Sequence, residues 1–278
     1  MPGDRPGIGE RPERPGIGER PERPGIGDRP IVGQLPSNRP SHIERPADRE
    51  RWRHHRRDEI RDHVRHHHPR WDFWRGHSHW AHWGWNRPYR WATWAACTAW
   101  FPWGWSEPVY YDYGTNIYYE GDNVYYGDTV VATAEEYALQ AQALATSAPE
   151  DIAKDAEWMP LGVFALTLDG QAAGVEPTLY LQLAVSKEGV IAGTVFNSET
   201  QETKEIEGMV DQATQRAAWG VSGETSPIME TGIANLTKDE APALLHFADG
   251  QTQQWLMVRL EEPEGEAAQQ TVSEGAEP

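Results

Sequence analysis

Cysteine is almost absent from this sequence, since Cys97 is the one thiol in 278 residues. A single thiol excludes an internal disulfide framework and any zinc site built from four cysteines. The sequence also lacks the run of ~20 apolar residues that a membrane-spanning helix needs. Its start has no charged stretch followed by an apolar one, so no export signal is predicted in the chain as given.

Motifs that carry common chemistries are also missing. The sequence has no phosphate-binding glycine loop ending in Lys-Ser or Lys-Thr, no Gly-x-Ser-x-Gly elbow and no His-Glu-x-x-His zinc motif. His246 could meet Asp211 or Glu230, but a lone histidine in a strand is typical of a structural or surface position. We therefore expect a non-enzymatic protein with no catalytic residue and no organic cofactor.

Charge divides the chain into two parts of opposite sign. Residues 1–100 hold 19 Arg, no Lys and 13 acids, a balance of +6, whereas residues 101–278 hold 6 Lys plus Arg and 30 acids, a balance of −24. Ten of the 11 His and eleven of the 14 Trp lie between His42 and Trp105. The basic arm could fold back on the acidic part or reach an acidic partner.

The C-terminal part has the pattern of an antiparallel β domain. In Thr178–Ser186, Leu179, Leu181, Leu183 and Val185 alternate with other residues, a period of two that predicts one buried face. Similar runs separated by short turns predict seven further strands: Leu161–Leu168, Val190–Phe196, Lys204–Val210, Arg216–Val221, Ile228–Leu236, Ala243–Phe247 and Gln253–Leu260.

Eight strands joined by short links favour a meander, because no intervening segment has the length of a crossover helix. A small barrel or a two-sheet sandwich would close or protect the sheet edges, and we favour the barrel. The predicted fold class is mainly β. The predicted divisions are a disordered nine-residue-repeat linker (1–43), a His/Arg-rich helix (44–69), a Trp-rich segment (70–107), a Tyr-rich meander with a short helix (108–147), a linker (148–157), the β domain (158–261) and a disordered acidic tail (262–278).

The His/Arg-rich stretch predicts a helix over Glu44–His68, with Trp52, Ile60 and Val64 as its thin apolar stripe. Three- and four-residue spacing places imidazoles and one carboxylate on one helix face, where they could share a divalent metal ion. The alternative is a polar helix whose His run binds metal only loosely. The candidate metal ligands are His55, Glu59, His63, His66 and His67.

Aromatic residues dominate the next two segments. The Trp residues of 70–107 could stack on bases or sugar rings, anchor at a membrane interface, or pack against the acidic β domain. Seven Tyr within Val109–Val131 predict a meander of three or four strands. Thr133 followed by Glu136 has the form of a capping box, which predicts a helix over Ala134–Ala145.

Several motifs resemble a known group of proteins. They are Trp100–Pro108, Tyr110–Gly114, Glu157–Ala165, Glu207–Asp211, Glu230–Thr237 and Gln251–Leu260. Together these motifs resemble a family of uncharacterised planctomycete surface proteins often labelled "mu-protocadherin", over roughly residues 70–260. The resemblance implies an extracytoplasmic or cell-surface protein, although members of that family are expected to begin with an export signal and this chain does not.

These observations favour a non-enzymatic surface or interaction protein. We expect the Arg/His/Trp segment to contact an envelope, polysaccharide or protein surface, and we expect neither nucleic-acid binding nor a transmembrane span. One alternative is a metal-binding or pH-responsive protein that uses the His-rich helix. A second is a small-ligand-binding barrel, which would need a cavity left unfilled by Phe164, Trp219 and Trp255.

Overall fold

The computed structural model describes residues 46–68, 92–149 and 156–261. The predicted repeat linker, residues 70–91 of the Trp-rich segment and the predicted tail lie outside the described residues. The helices are α1 (Pro46–His67), α2 (Trp94–Trp100) and α3 (Ala134–Ala145). The strands are β1 (Ile117–Glu120), β2 (Asn123–Tyr126), β3 (Thr129–Thr133), β4 (Trp158–Leu168), β5 (Leu179–Ser186), β6 (Val190–Asn197), β7 (Glu202–Val210), β8 (Arg216–Val221), β9 (Ile228–Gly232), β10 (Glu240–His246) and β11 (Thr252–Arg259).

Strands β4 to β11 form a closed barrel in which each strand pairs antiparallel with the next along the chain. The barrel closes where the last strand meets the first, with Trp255–Arg259 of β11 opposite Phe164–Leu168 of β4. The predicted mainly β fold with an eight-stranded antiparallel barrel is therefore confirmed. Closure leaves no free edge in this sheet and gives the barrel two distinct ends.

Both faces of β5 are covered. Leu179, Leu181, Leu183 and Val185 of β5 point into the barrel and join the main apolar core, as their alternation predicts. The intervening residues of β5 are buried as well, although the sequence predicts only one buried face. Tyr180, for example, packs with a second apolar cluster outside the barrel. The outer face of β5 is buried here because α1 contributes Ile60 and Val64 to the same cluster.

Glycine is required where the barrel wall is tightest. Gly162 has a φ of 133° and sits where the pairing of β4 with β5 shifts register, as in a β-bulge. A Cβ at Gly193 would collide with the carbonyl oxygen of Gln182 on the neighbouring strand. A larger residue at Gly193 would push β5 and β6 apart, and one at Gly162 would collide with the guanidinium of Arg259.

One end of the barrel is sealed by α2 and the aromatic residues that follow it. Cys97 and Phe101 join the interior core, and Trp103 stacks on Phe101 with ring centroids 4.3 Å apart. Trp105 donates its indole N–H to the carbonyl oxygen of Gln212 at 2.8 Å. The described Trp residues of this segment thus pack against the β domain, one of the alternatives left open by the sequence. The helix α2, capped at its N-terminus by the Thr93 side chain, is not predicted by the Trp spacing.

Arg259 fills the interior of the barrel at this sealed end. Its guanidinium donates to the carbonyl oxygens of Leu161 at 2.6 Å and Leu236, and its Nε donates to that of Lys238 at 3.0 Å. Burial lowers the pKa of Arg259 to about 10. The side chain therefore ties β4 and the β9–β10 connection to the end of β11.

The Tyr-rich meander and α3 cover the outer face of β8, β9 and β10. Strands β1, β2 and β3 form a separate antiparallel sheet, and the predicted helix Ala134–Ala145 forms with its capping box in place. Ala141 and Ala145 of α3 pack on Ala218 and Ile228 of the barrel wall. The meander has three strands, and its predicted first part, before Ile117, is not a strand.

Helix α1 lies outside the barrel across the line where β11 meets β4. Its apolar residues Trp52, Ile60 and Val64 pack in the same cluster as Val163 and Ala165 of β4, with Leu256 and Val258 of β11 also in that cluster. The thin apolar stripe is therefore supported by a partner surface within the same chain, which stabilises a helix of otherwise polar sequence.

One predicted strand is too long. The sequence predicts a strand over Ile228–Leu236, but β9 ends at Gly232 and residues Asn235–Thr237 form a 3₁₀ turn. The Asn235 side chain donates to the carbonyl oxygen of Tyr111 at 2.7 Å and accepts from its N–H at 3.1 Å. These bonds hold the backbone in a turn that the apolar pattern of Ile233 and Leu236 does not predict.

The substitution Ile60→Ala tests the packing of α1. Ile60 is 1% exposed, so its truncation should lower the free energy of unfolding by about 2–5 kcal/mol and make α1 a site of early proteolysis. Urea unfolding and limited proteolysis measure the two effects. The matched control is Leu139→Ala on α3, where the side chain is 54% exposed and the change should stay within ~0.5 kcal/mol. Equal stability of the two variants would contradict this packing.

Candidate metal centre and neighbouring sites

The arginines of α1 pair with acidic residues of the rest of the chain. The nitrogen–oxygen contacts join Arg53 to Asp112 (2.6 Å) and Asp169 (3.1 Å), Arg57 to Glu240 (3.0 Å), Arg61 to Asp239 (3.1 Å) and Arg65 to Glu261 (2.7 Å). Arg56 is buried and donates to the carbonyl oxygen of Val175. This part of the basic arm therefore folds back on the acidic domain.

Helix α1 also holds the loop between β4 and β5, residues 169–178. Trp52 donates its indole N–H to the carbonyl oxygen of Gln171 at 3.2 Å, and the Glu59 carboxylate accepts from the backbone N–H of Gly174. The loop is thereby fixed alongside the helix, and its next residues lie beside the His-rich end of α1.

Three metal-ligating side chains meet at this joint. His63 and His67 are one helical turn apart, with ring centroids separated by 4.5 Å. Glu176 of the loop reaches the same point, with its Oε1 3.2 Å from Nδ1 of His63. One ligand atom of each of the three residues lies within 4.8 Å of the others. A tetrahedral Zn²⁺ site, with bonds of ~2.1 Å, needs donor atoms roughly 3.4 Å apart, so small side-chain rotations would complete the set.

The environment of His63 favours its neutral form. Burial lowers the pKa of His63 below its usual 6.5, the charge of Glu176 opposes this, and His67, His68 and Arg56 lower it further. Neutral imidazole is the form that binds a metal ion. At neutral pH the ring can therefore either share a proton with Glu176 or donate a lone pair to a cation.

The other predicted ligands are not part of this group. His55 and His66 are exposed, and Glu59 is engaged by Gly174 and by Arg56, whose Nη1 donates to it at 2.8 Å. Glu176 was missed by the sequence analysis because it comes from another part of the chain, and helical spacing can relate only residues of one helix. No local pattern around Glu176 marks it as a ligand.

A second charged group is buried between the barrel wall and α3. Glu230 is fully buried and pairs with Arg216 across neighbouring strands, while Nε2 of His246 lies 3.1 Å from Oε1 of Glu230. Arg216 also donates to the carbonyl oxygen of Tyr137 at 2.9 Å and stacks over the Tyr137 ring. His246 thus meets Glu230, one of the two partners considered from the sequence, whereas Asp211 accepts from Thr214 in a turn.

The charges of this buried group compensate one another, which is typical of a structural role. Burial alone would raise the pKa of Glu230, but the charges of Arg216 and His246 and their hydrogen bonds hold it below its usual 4.5. Burial raises the pKa values of Tyr113 and Tyr137 well above 10. All these groups are enclosed, so we interpret them as a buried ionic link between the barrel and α3.

A third feature is an apolar pocket of about 60 Å³ inside the barrel. It lies at the end opposite α2. All eight barrel strands contribute to its wall, and Trp219 and Trp255 line it without filling it. Phe164, the third large aromatic residue expected to fill the barrel, does not line the pocket.

The fold and these sites define an up-and-down eight-stranded barrel with an exterior helix whose His63 and His67 meet Glu176 of the β4–β5 loop. Comparison with protein-family models, with curated proteins and with solved structures found no match for this chain. Within residues 46–68, 92–149 and 156–261, no helix combines the length and the apolar character required to cross a bilayer.

The buried pair is tested by Glu230→Gln. Loss of the carboxylate leaves Arg216 buried without its charge partner, so at pH 7 the free energy of unfolding should fall by about 3–5 kcal/mol. The pKa of Glu230 is lowered by folding, so its stabilising effect is complete above pH 4.5 and is lost as the pH falls through the lower folded-state value. The difference between variant and wild type should therefore shrink in acid.

Urea titrations at pH 7 and near pH 3 measure this difference. The control is Glu188→Gln in the exposed turn between β5 and β6, which should leave stability unchanged at both values. A loss of stability for Glu230→Gln that is the same at both pH values would contradict an ionised Glu230.

Proposed function

We propose that the protein is a non-enzymatic binding protein that holds one divalent transition-metal ion at the joint between α1 and the β4–β5 loop. The observation that carries the proposal is the meeting of His63 and His67 with Glu176, from two distant parts of the chain. Two imidazoles and a carboxylate are a common ligand set for Zn²⁺, and imidazole also suits Cu²⁺ and Ni²⁺.

The position of the cluster suggests what the metal would do. An ion bound there would link the C-terminal end of α1 to the loop, in addition to the contacts of Trp52, Arg56 and Glu59. Because α1 lies across the closing strands of the barrel, this link would stabilise the folded chain in proportion to metal concentration. The metal would thus couple barrel stability to the supply of the ion.

The site would keep one coordination position open. The Glu176 side chain is 65% exposed and that of His63 is 16% exposed, so the ion would be accessible from solvent. With three protein ligands, a water molecule or a donor atom of a partner would complete a tetrahedral site. A partner carrying an imidazole or carboxylate at its surface would fit this position.

The proposed setting is an extracytoplasmic or cell-surface one, and its support is the resemblance of the sequence motifs to the planctomycete surface-protein family. There the protein would contact an envelope, polysaccharide or protein surface. The arginines of α1 are already paired with acids of the same chain, so we assign this contact to the His-, Arg- and Trp-containing sequence at residues 70–91.

Metal binding is tested by titrating the untagged protein with Zn²⁺ in a calorimeter. We expect one saturable site of sub-micromolar affinity in the wild type, with affinity lowered at least ~10-fold in His67→Ala and in Glu176→Gln, because each removes one ligand. Zn²⁺ should also raise the melting temperature of the wild type, and this rise should be smaller in both variants.

The matched control is His55→Ala, which removes an exposed histidine of the same helix that is not in the cluster. Its affinity should equal that of the wild type. Wild-type affinity in both His67→Ala and Glu176→Gln would refute the site and leave only loose binding by the many other histidines.

The cellular setting is tested by fractionating the source cells and detecting the protein with an antibody. An extracytoplasmic protein should appear in the envelope or secreted fraction and should be degraded when intact cells are treated with protease. A cytoplasmic marker provides the control. Recovery with that marker, protected from protease, would exclude the proposed setting.

A further inference from the structure

The two ends of the barrel differ in a way that points to a second binding site. At one end, α2, Phe101 and the Trp residues after it close the interior. The apolar pocket lies at the other end. Two of its lining residues, Val195 and Val221, are only half-buried. Pro227, in the connection between β8 and β9, also lines it. The pocket therefore opens at the end formed by the β4–β5, β6–β7, β8–β9 and β10–β11 connections.

The pocket wall is suited to an apolar group. Its lining consists of aliphatic side chains, Met229, one proline, one glycine and the two indoles of Trp219 and Trp255. No charged side chain contributes to it. A polar or charged group placed inside would lose its hydration without gaining a hydrogen bond, whereas an alkyl group would be removed from water at no such cost.

The rim of the pocket has the opposite character, because the connections that form it carry negative charge only. The four connections, residues 169–178, 198–201, 222–227 and 247–251, contain five carboxylates and no Lys or Arg. Arg53 of α1 pairs with Asp169, and Lys204 of β7 pairs with Glu224 at 2.9 Å. Glu176 lies 3.2 Å from His63, and the carboxylates of Glu199 and Asp249 are additional to these contacts, so the rim has an excess of negative charge.

We propose that this end of the barrel binds a small amphiphile with a positively charged head, such as a free alkylamine or alkylammonium ion. The alkyl end enters the pocket between Trp219 and Trp255, and the cationic head stays at the rim among the carboxylates. The negative rim disfavours fatty acids and other anionic amphiphiles of the same length.

The volume of the pocket limits how much of the ligand enters. An apolar cavity of ~150 Å³ accommodates benzene, and this pocket holds about 60 Å³. It therefore accepts the end of an alkyl chain, and the remaining methylenes lie in the open mouth. Chain length beyond the pocket should contribute little to affinity.

The experiment is a calorimetric titration with alkyltrimethylammonium ions of increasing length, kept below micelle-forming concentrations and with a chelator present. We expect affinity to rise about fourfold for each methylene that enters the pocket and then to level off. The alkyl sulfate of matching length should bind at least ~10-fold more weakly, and added salt should reduce this difference.

The variant that tests the location is Val195→Phe, which places a larger side chain in the half-buried mouth. It should lower affinity for the alkylammonium at least ~10-fold, while the matched control Val130→Phe, on the exposed strand β3, should not change it. Circular dichroism checks the fold, and Val221→Phe replaces the first variant if that one does not fold.

Two results would overturn the inference. Equal affinity of the mouth variant and the control variant would show that the ligand binds elsewhere. Equal or tighter binding of the sulfate would show that the rim does not select positive charge. Because the chelator removes divalent metal, neither result depends on the metal site.

Discussion

The pairing of β11 with β4 is the interaction on which the rest of the structure depends. It joins the two ends of an otherwise sequential meander, and without it the barrel would be an open sheet with two unpaired edges. Helix α1 lies on the outer side of this pairing, with Ile60 and Val64 against residues of both strands. The same helix then fixes the β4–β5 loop, so that closure, helix docking and the His/Glu cluster form one connected arrangement.

Electrostatic pairing gives this arrangement its specificity. The basic helix and the acidic domain attract each other, and Arg53, Arg57 and Arg61 each reach particular carboxylates. Arg53 and Asp169 are nearly buried, so their attraction is offset by the cost of removing both charges from water, and the apolar contacts of Ile60 and Val64 supply most of the docking energy. The buried pair of Arg216 and Glu230 has the same positioning role on the other side, where it aligns α3 with the barrel wall.

The sequence predicts the barrel well because strand alternation and short turns are local signals. Leu179 to Val185 show a period of two, and Thr133 with Glu136 marks the start of α3. The burial of the outer face of β5 is not predictable in this way, since its alternation places Tyr180 on the solvent side and only the docking of α1 covers it. The path of the β4–β5 loop brings Glu176 next to His63 and His67. The sequence spacing of these three residues does not predict that contact. The turn at Asn235 depends on its hydrogen bonds to Tyr111, a residue 124 positions away in the sequence.

The closing pair also has a consequence for how the chain is made on the ribosome. Trp158 opens β4 and Arg259 ends β11. At typical rates, roughly one hundred residues of translation, or about 5–20 s, separate the emergence of the two strands. Throughout that interval the growing meander presents one edge of β4 to other nascent chains. Helix α1 is made earlier still and has no complete docking surface until β11 is synthesised. Crowded polysomes are therefore the place where this protein would be most prone to misassociate, and a chaperone acting there would have most effect.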